Sequence, residues 1–171
     1  MRKKTVKVLA VFLALIALTV ALIFISIASR YELFTVEGDS MLPSIKDGET
    51  VVVEKADPNS PSCKRGDIVL IRLTSSSDVY IKRVIGLEGD RIRIKYGKVY
   101  LNGEVLQEDY IKEETIRDME EIVIGDGCVF VLGDNRKDSY DSRDFGAVPA
   151  EALVGRVRWK VLPSGLRETV L

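Results

Sequence analysis

The 171-residue chain contains no histidine. That absence removes the Ser-His-Asp and Cys-His nucleophile systems, because both use an imidazole to take the proton. Its two cysteines, Cys63 and Cys128, stand far apart and cannot supply the ligands of an ordinary structural zinc site. Asn and Gln are scarce while charge is plentiful, a balance that fits a heat-adapted source. Neither sign of charge prevails: Lys and Arg total 25, Asp and Glu 26, for a net charge of −1. Without a basic excess there is no general reason to expect a nucleic-acid partner.

What is present begins with an apolar run, Val8 to Ala28, free of charge, Pro and Gly. About 20 such residues span a bilayer as a helix, and a helix satisfies its own backbone there. Arg2, Lys3, Lys4 and Lys7 precede the run, and Arg30 and Glu32 follow it. The positive-inside bias puts residues 1–7 in the cytoplasm, 8–28 in the membrane and 29–171 on the exported side. The rival is a cleavable secretory signal, and Ser26-Ile27-Ala28 resembles a small-x-small cleavage site. The run exceeds the roughly 7–15 apolar residues of such a signal, which favours an uncleaved anchor. A buried soluble helix would need a polar face, and the run has none. Tyr31 and Phe34 fall where interfacial aromatics commonly sit.

From Leu33 the texture becomes short, alternating or β-branched. Leu33–Glu37, Thr50–Glu54, Asp67–Leu73, Val79–Leu87, Arg91–Tyr96, Lys98–Leu101, Cys128–Leu132 and Leu153–Leu162 read as strands. Asp47-Gly48, Pro58-Asn59-Ser60-Pro61, Gly89-Asp90, Gly97, Asn102-Gly103 and Gly125-Asp126-Gly127 punctuate them. The fold class is therefore mainly β, a folded barrel or sandwich preceded by one transmembrane helix. Residues 104–126 carry nine acidic residues and two basic ones with few strand signals. They read as a solvated connection or as an excursion, a short helix or small cap. On the exported side a disulfide is permitted. Cys128 in its apolar run reads by default as a buried free thiol, and pairing with Cys63 would need Cα atoms within about 7 Å.

Two stretches can carry chemistry. Ser40 follows Gly38-Asp39 in a turn, and Lys82 lies inside the apolar run Val79-Tyr80-Ile81-Lys82-Arg83-Val84-Ile85. A serine hydroxyl needs a neighbouring base, and without histidine Lys82 is the best candidate. An unperturbed lysine is neutral in only about one molecule in 2,500 at pH 7. Burial lowers its pKa by disfavouring the charged form. Strand alternation puts Tyr80, Lys82 and Val84 on one face, so Lys82 is buried if its neighbours are. The plainer readings are a snorkelling surface lysine and a simple turn serine. A third stretch, Gly133 to Arg143, is too polar for a core and too rich in paired charges for a free loop. It reads as a loop held by Asp–Arg pairs, with Ser139 as a hydroxyl available to orient an amine.

Gly38-Asp39-Ser40-Met41-Leu42-Pro43-Ser44, Arg65-Gly66-Asp67-Ile68-Val69, Tyr80 through Asp90, and Gly133 through Arg143 together resemble the ordered motifs of bacterial type I signal peptidases. These are membrane-bound serine proteases that remove signal peptides from exported proteins. Ser44 stands where the family often has Thr, and Glu88 where Pro is common. The resemblance implies Ser40 as nucleophile, Lys82 as general base, Ser139 holding the amine, and Asp141 paired with Arg143. Gly38 stands where some relatives carry a hydroxyl for the oxyanion hole, leaving the Ser40 N–H with more of that work. Phe34, Val36, Met41, Ile45, Val51, Tyr80 and Ile81 fall on positions lining shallow subsites that select an Ala-x-Ala cleavage site. The chain lacks room for the large extra β domain of Gram-negative relatives, so 104–126 is expected as a reduced remnant. Signal peptides of exported preproteins are the implied partners, near membrane lipid and the export machinery. Met41, Leu42 and Ile45 are expected to rest on lipid. No metal or organic cofactor is implied. Two rivals remain: a LexA-like self-cleaving Ser/Lys protease, for which no DNA-binding helix-turn-helix is visible, and a non-enzymatic, membrane-anchored binding domain.

Overall fold

A computed structural model describes residues 2–57, 63–74, 78–113, 117–162 and 167–169. Two compact units divide the chain, residues 1–32 and 33–171. The first is dominated by one helix, α1 (Arg2–Arg30). Its stretch Phe12–Arg30 is long and apolar enough to cross a membrane, and its side chains there are exposed all round. A helix surface this apolar on every side is what facing lipid requires.

The second unit is β. The main sheet runs β1 (Tyr31–Thr35), β2 (Thr50–Lys55), β11 (Leu153–Val161), β3 (Ile68–Arg72), β4 (Val79–Gly86), β9 (Cys128–Leu132), β10 (Val148–Pro149), with β12 (Arg167–Thr169) paired to β11. A four-stranded sheet is ordered β7 (Glu104–Val105), β6 (Lys98–Leu101), β5 (Arg91–Lys95), β8 (Met119–Val123). The eight strands expected from the sequence are all present within a few residues. The β5–β6 hairpin turns through Tyr96 and Gly97, at φ 51° and 79°, and the β6–β7 hairpin through Asn102 and Gly103, at 53° and 89°. Two successive positive φ values match the right-handed twist of the flanking strands, which explains Gly and Asn there.

The 104–126 segment departs from the sequence reading. Its described residues form no helix and are more than a bare connection. It supplies β7 and β8, and β8 pairs with β5 through Arg91↔Val123 and Ile92↔Ile122. The strand signal was weak because only Met119 and Ile122 of β8 are shielded while Glu120, Glu121 and Val123 are exposed. The Pro58–Pro61 turn lies outside the described residues. Cys63 and Cys128 are both free thiols.

β4 is the strand on which the site depends. Ile81 through Gly86 are buried without alternation, because apolar packing occurs on both faces. Ile81 joins a cluster with Val36, Met41, Ile45, Val51, Val53, Ile68, Leu70 and Val157. Val84 joins Val69, Ile71, Val129 and Val131, and Ile85 joins Ile92, Ile94, Phe130 and Leu132. Antiparallel pairing with β3 sets Val69 opposite Lys82 and Ile68 opposite Arg83. Pairing with β9 begins at Arg83↔Leu132, which delivers the Gly133 loop beside Lys82.

Close packing of β11 on β2 makes one glycine indispensable. A Cβ at Gly155 would lie 2.6 Å from the Glu54 carbonyl oxygen and 2.6 Å from Val53 Cγ1. Backbone cannot yield as a side-chain tip does, so Gly155→Ala should destabilise the domain by about 1–3 kcal/mol. Urea unfolding checks this; an unchanged midpoint would show that the two strands separate without cost.

Candidate active site

The turn after β1 carries Ser40, and β4 carries Lys82. Lys82 Nζ donates to Ser40 Oγ at 2.8 Å and to the Ile81 carbonyl at 2.8 Å. Lys82 is only 2% exposed. Removal from water pulls its pKa down from the ordinary 10.5 to about 8. The charges acting on it partly cancel: Asp141 and Asp134 favour the ammonium, and Arg143 opposes it.

Those carboxylates are committed elsewhere. Asp141 is held by Arg143 through Nε–Oδ1 at 2.8 Å and an Nη2–Oδ2 contact at 2.7 Å. Asp141 also accepts from the Gly133 N–H at 3.0 Å and caps the short α2 (Ser142–Phe145), with Asp144 completing a capping box. This is the Asp–Arg pair that the sequence suggested. Asp134 receives Arg83 Nε at 2.8 Å and Nη2 at 2.7 Å, with both side chains essentially fully buried. Ser44 Oγ donates to Asp134 Oδ2 at 2.5 Å.

The Gly133 loop holds the Ser40 turn from behind. Asn135 N–H donates to the Ser40 carbonyl at 3.1 Å, and Asn135 Nδ2 to the Asp39 carbonyl at 3.1 Å. A Cβ on Gly133 would lie 2.5 Å from the Ser40 carbonyl oxygen and 2.2 Å from Ser139 Oγ, so only glycine permits this approach. Ser139 Oγ is buried there without a hydrogen-bond partner. It makes no bond to Lys82 in this arrangement, in contrast to the role implied by resemblance. Gly38 sits at φ 83°, a conformation side chains disfavour, and its N–H donates to Asp47 at 2.7 Å.

A cleft of about 370 Å³ opens on Ser40 and Lys82, walled by Phe34, Thr35, Val79, Tyr80 and Ile81 with Glu37 and Asp78. Of the seven expected lining residues, Phe34, Tyr80 and Ile81 are there. Val36, Met41, Ile45 and Val51 are not. They are 0–1% exposed and pack in the first core cluster. For the same reason Met41 and Ile45 do not rest on lipid: both are fully buried.

A model of the family described as signal peptidase, peptidase S26, matches residues 7–162. The chain belongs to that family. Signal peptidase I of Bacillus caldolyticus is 36% identical over 144 residues, 76% of this chain and 79% of that protein. Signal peptidase I U of Bacillus subtilis is 36% identical over 158 residues, 87% and 84% of the two chains. A crystal structure of a signal peptidase I from Enterococcus faecalis matches with a TM-score of 0.51 at 30% identity, covering 56% of this chain and 96% of that one. Family membership makes the chain a membrane signal peptidase, a hydrolase acting on signal-peptide-bearing proteins, and α1 fits the anchor of its membrane-bound relatives.

Within this family member, sequence reasoning overlooked the parts that hold the loop. Arg83, Asp134 and Ser44 were visible inside motifs but carried no role, since 51 residues separate the arginine from its carboxylate. Glu108 was hidden in the acidic segment, yet it receives Arg136 Nη1 at 2.8 Å and Nη2 at 2.5 Å. A buried, strand-embedded arginine in an otherwise apolar run was the available signal, because such a charge requires a partner.

The depressed Lys82 pKa has a stability consequence. A base whose folded pKa falls below its unfolded one destabilises the fold wherever the unfolded chain holds its proton. Here the cost is full below about pH 8 and disappears as pH rises through 10.5, amounting to ~3 kcal/mol at 1.36 kcal/mol per unit. Lys82→Met should therefore stabilise the protein more at pH 6 than at pH 10.5, measured by urea unfolding in detergent. An equal effect at both pH values would show that the amine is not held out of water.

Proposed function

We propose that this signal peptidase works through a Ser40–Lys82 dyad. The observation that carries the reading is an amine only 2% exposed and 2.8 Å from a hydroxyl at the floor of an open cleft. Neutral Lys82 takes the Ser40 proton as Oγ attacks the carbonyl after the P1 residue. The protonated amine then gives that proton to the leaving amine, and an acyl-enzyme remains. Neutral Lys82 next takes a proton from water, whose hydroxide attacks the ester, and gives that proton to Ser40 Oγ as the acyl C–O bond breaks, which restores the hydroxyl and the neutral amine. The Ser40 N–H has no acceptor among the described residues, which suits it to the developing oxyanion. Gly38 offers no hydroxyl for that task.

The substrate enters as a strand. β1 is an edge of the main sheet, and on β4 the pairing with β9 starts only at Arg83, so Val79–Lys82 has one open edge facing the cleft. A peptide pairing there puts alternate side chains against Phe34, Tyr80 and Ile81, whose shallow apolar walls favour an Ala-x-Ala-like site. The basic residues before the apolar run of α1 support an orientation with the N-terminus in the cytoplasm and the β domain on the exported side. There it meets preproteins at the lipid surface, near the export machinery.

Ser40→Ala and Lys82→Met should each lower processing of a secretory precursor by about 10⁴-fold or more, read by sequencing the new N-terminus. For the unaltered enzyme kcat/KM should rise about tenfold per pH unit and level off above about pH 8. Retained cleavage in either variant would contradict the dyad.

A further inference from the structure

The structure joins the active-site loop to the segment that follows β7 through a second buried ion pair. Arg136 is fully buried and Glu108 is 6% exposed. Both guanidinium nitrogens Nη1 and Nη2 donate to Glu108, while Arg136 Nε donates to the Gly133 carbonyl at 3.0 Å. Tyr110 Oη donates to Glu108 Oε1 at 2.7 Å, and the Tyr110 ring lies under the Arg83 guanidinium, 4.1 Å from centroid to Cζ. The Arg136 carbonyl in turn accepts from Arg143 Nη1 at 2.6 Å. Tyr110 thus stacks on the arginine that occupies Asp134, while Glu108 holds Arg136, which pins the glycine that touches Ser40 and Ser139 and whose carbonyl accepts from the arginine that occupies Asp141.

We propose that Glu108 and Tyr110, on the segment leading from β7, are positioning residues for the peptidase reaction. They hold the 133–143 loop closed over the Lys82 amine. The inference rests on the dyad reading above. Neither side chain borders the cleft, so neither contacts substrate. Their effect passes through Arg136 to Gly133 and through Arg83 to Asp134. Loosening this brace admits water to Lys82 and frees Asp134 and Asp141, both of which favour its proton, while Arg143, which opposes the proton, moves away. All three changes keep the amine charged at neutral pH.

The test uses the full chain in detergent with a signal-peptide-bearing preprotein. In Glu108→Gln, kcat should fall about 10- to 100-fold at pH 7 with little change in KM. The rising limb of kcat/KM should move upward by about one pH unit, so that activity partly recovers in alkali. Tyr110→Phe keeps the ring and loses one hydrogen bond, and should show a smaller shift in the same direction. Circular dichroism and unfolding midpoints report the folded fraction of each variant. A Glu108→Gln enzyme that loses activity only in proportion to its folded fraction, with the limb unmoved, overturns the positioning role. So does an enzyme with unaltered kinetics. An unaltered wild type with no limb near pH 8 instead sinks the base assignment itself, and the positioning role with it.

Discussion

A lysine can act as a base only if the protein keeps its amine dry without giving it a permanent counter-ion. Those requirements conflict, because an isolated buried ammonium attracts any carboxylate within reach. Here Lys82 is enclosed on β4 between packed faces, and the two carboxylates that act on it already belong to arginines. Arg83 occupies Asp134, and Arg143 occupies Asp141. Their negative charge is spent locally, desolvation dominates, and the pKa of the amine falls to about 8. The remaining short contact of Nζ beyond the Ile81 carbonyl is the one with Ser40 Oγ.

The ion pairs explain why so charged a chain has so apolar a central strand. Buried pairs seldom add stability over well-packed hydrophobic residues, but losing one partner leaves a costly bare charge. That asymmetry makes them strict about register. Asp134 must meet Arg83, Arg136 must meet Glu108, and the Gly133 loop between these pairs has little freedom left. Glycine at position 133 converts that restraint into contact with the back of the Ser40 turn. Position and protonation of the proposed dyad therefore have one structural source.

Much of the architecture was legible in the chain because its strands alternate or run apolar and end at Gly, Asn or Asp. Helix α1 was legible from its unbroken apolar run. β8 escaped because its exposed face is acidic and its packing comes from pairing with β5 rather than from its own pattern. The chain left Lys82 open between a buried and a snorkelling side chain; it is buried, and alternation does not decide this, because β4 is covered on both faces. The candidate site was legible as far as its local motifs reach. Val36, Met41, Ile45 and Val51 show the limit, because proximity to the nucleophile in sequence does not distinguish a wall of the cleft from the core behind it. Pairs such as Glu108 with Arg136 depend on which loops the two sheets bring together, information that no local spacing holds.

The most direct test of the account is the protonation state of one amine. The ¹³Cε resonance of Lys82, assigned by its loss in Lys82→Met, can be followed by NMR through a pH titration of the detergent-solubilised chain. A midpoint near 8 is predicted; a midpoint near 10.4, the value of a lysine in water, would contradict the claim that this fold makes Lys82 a base.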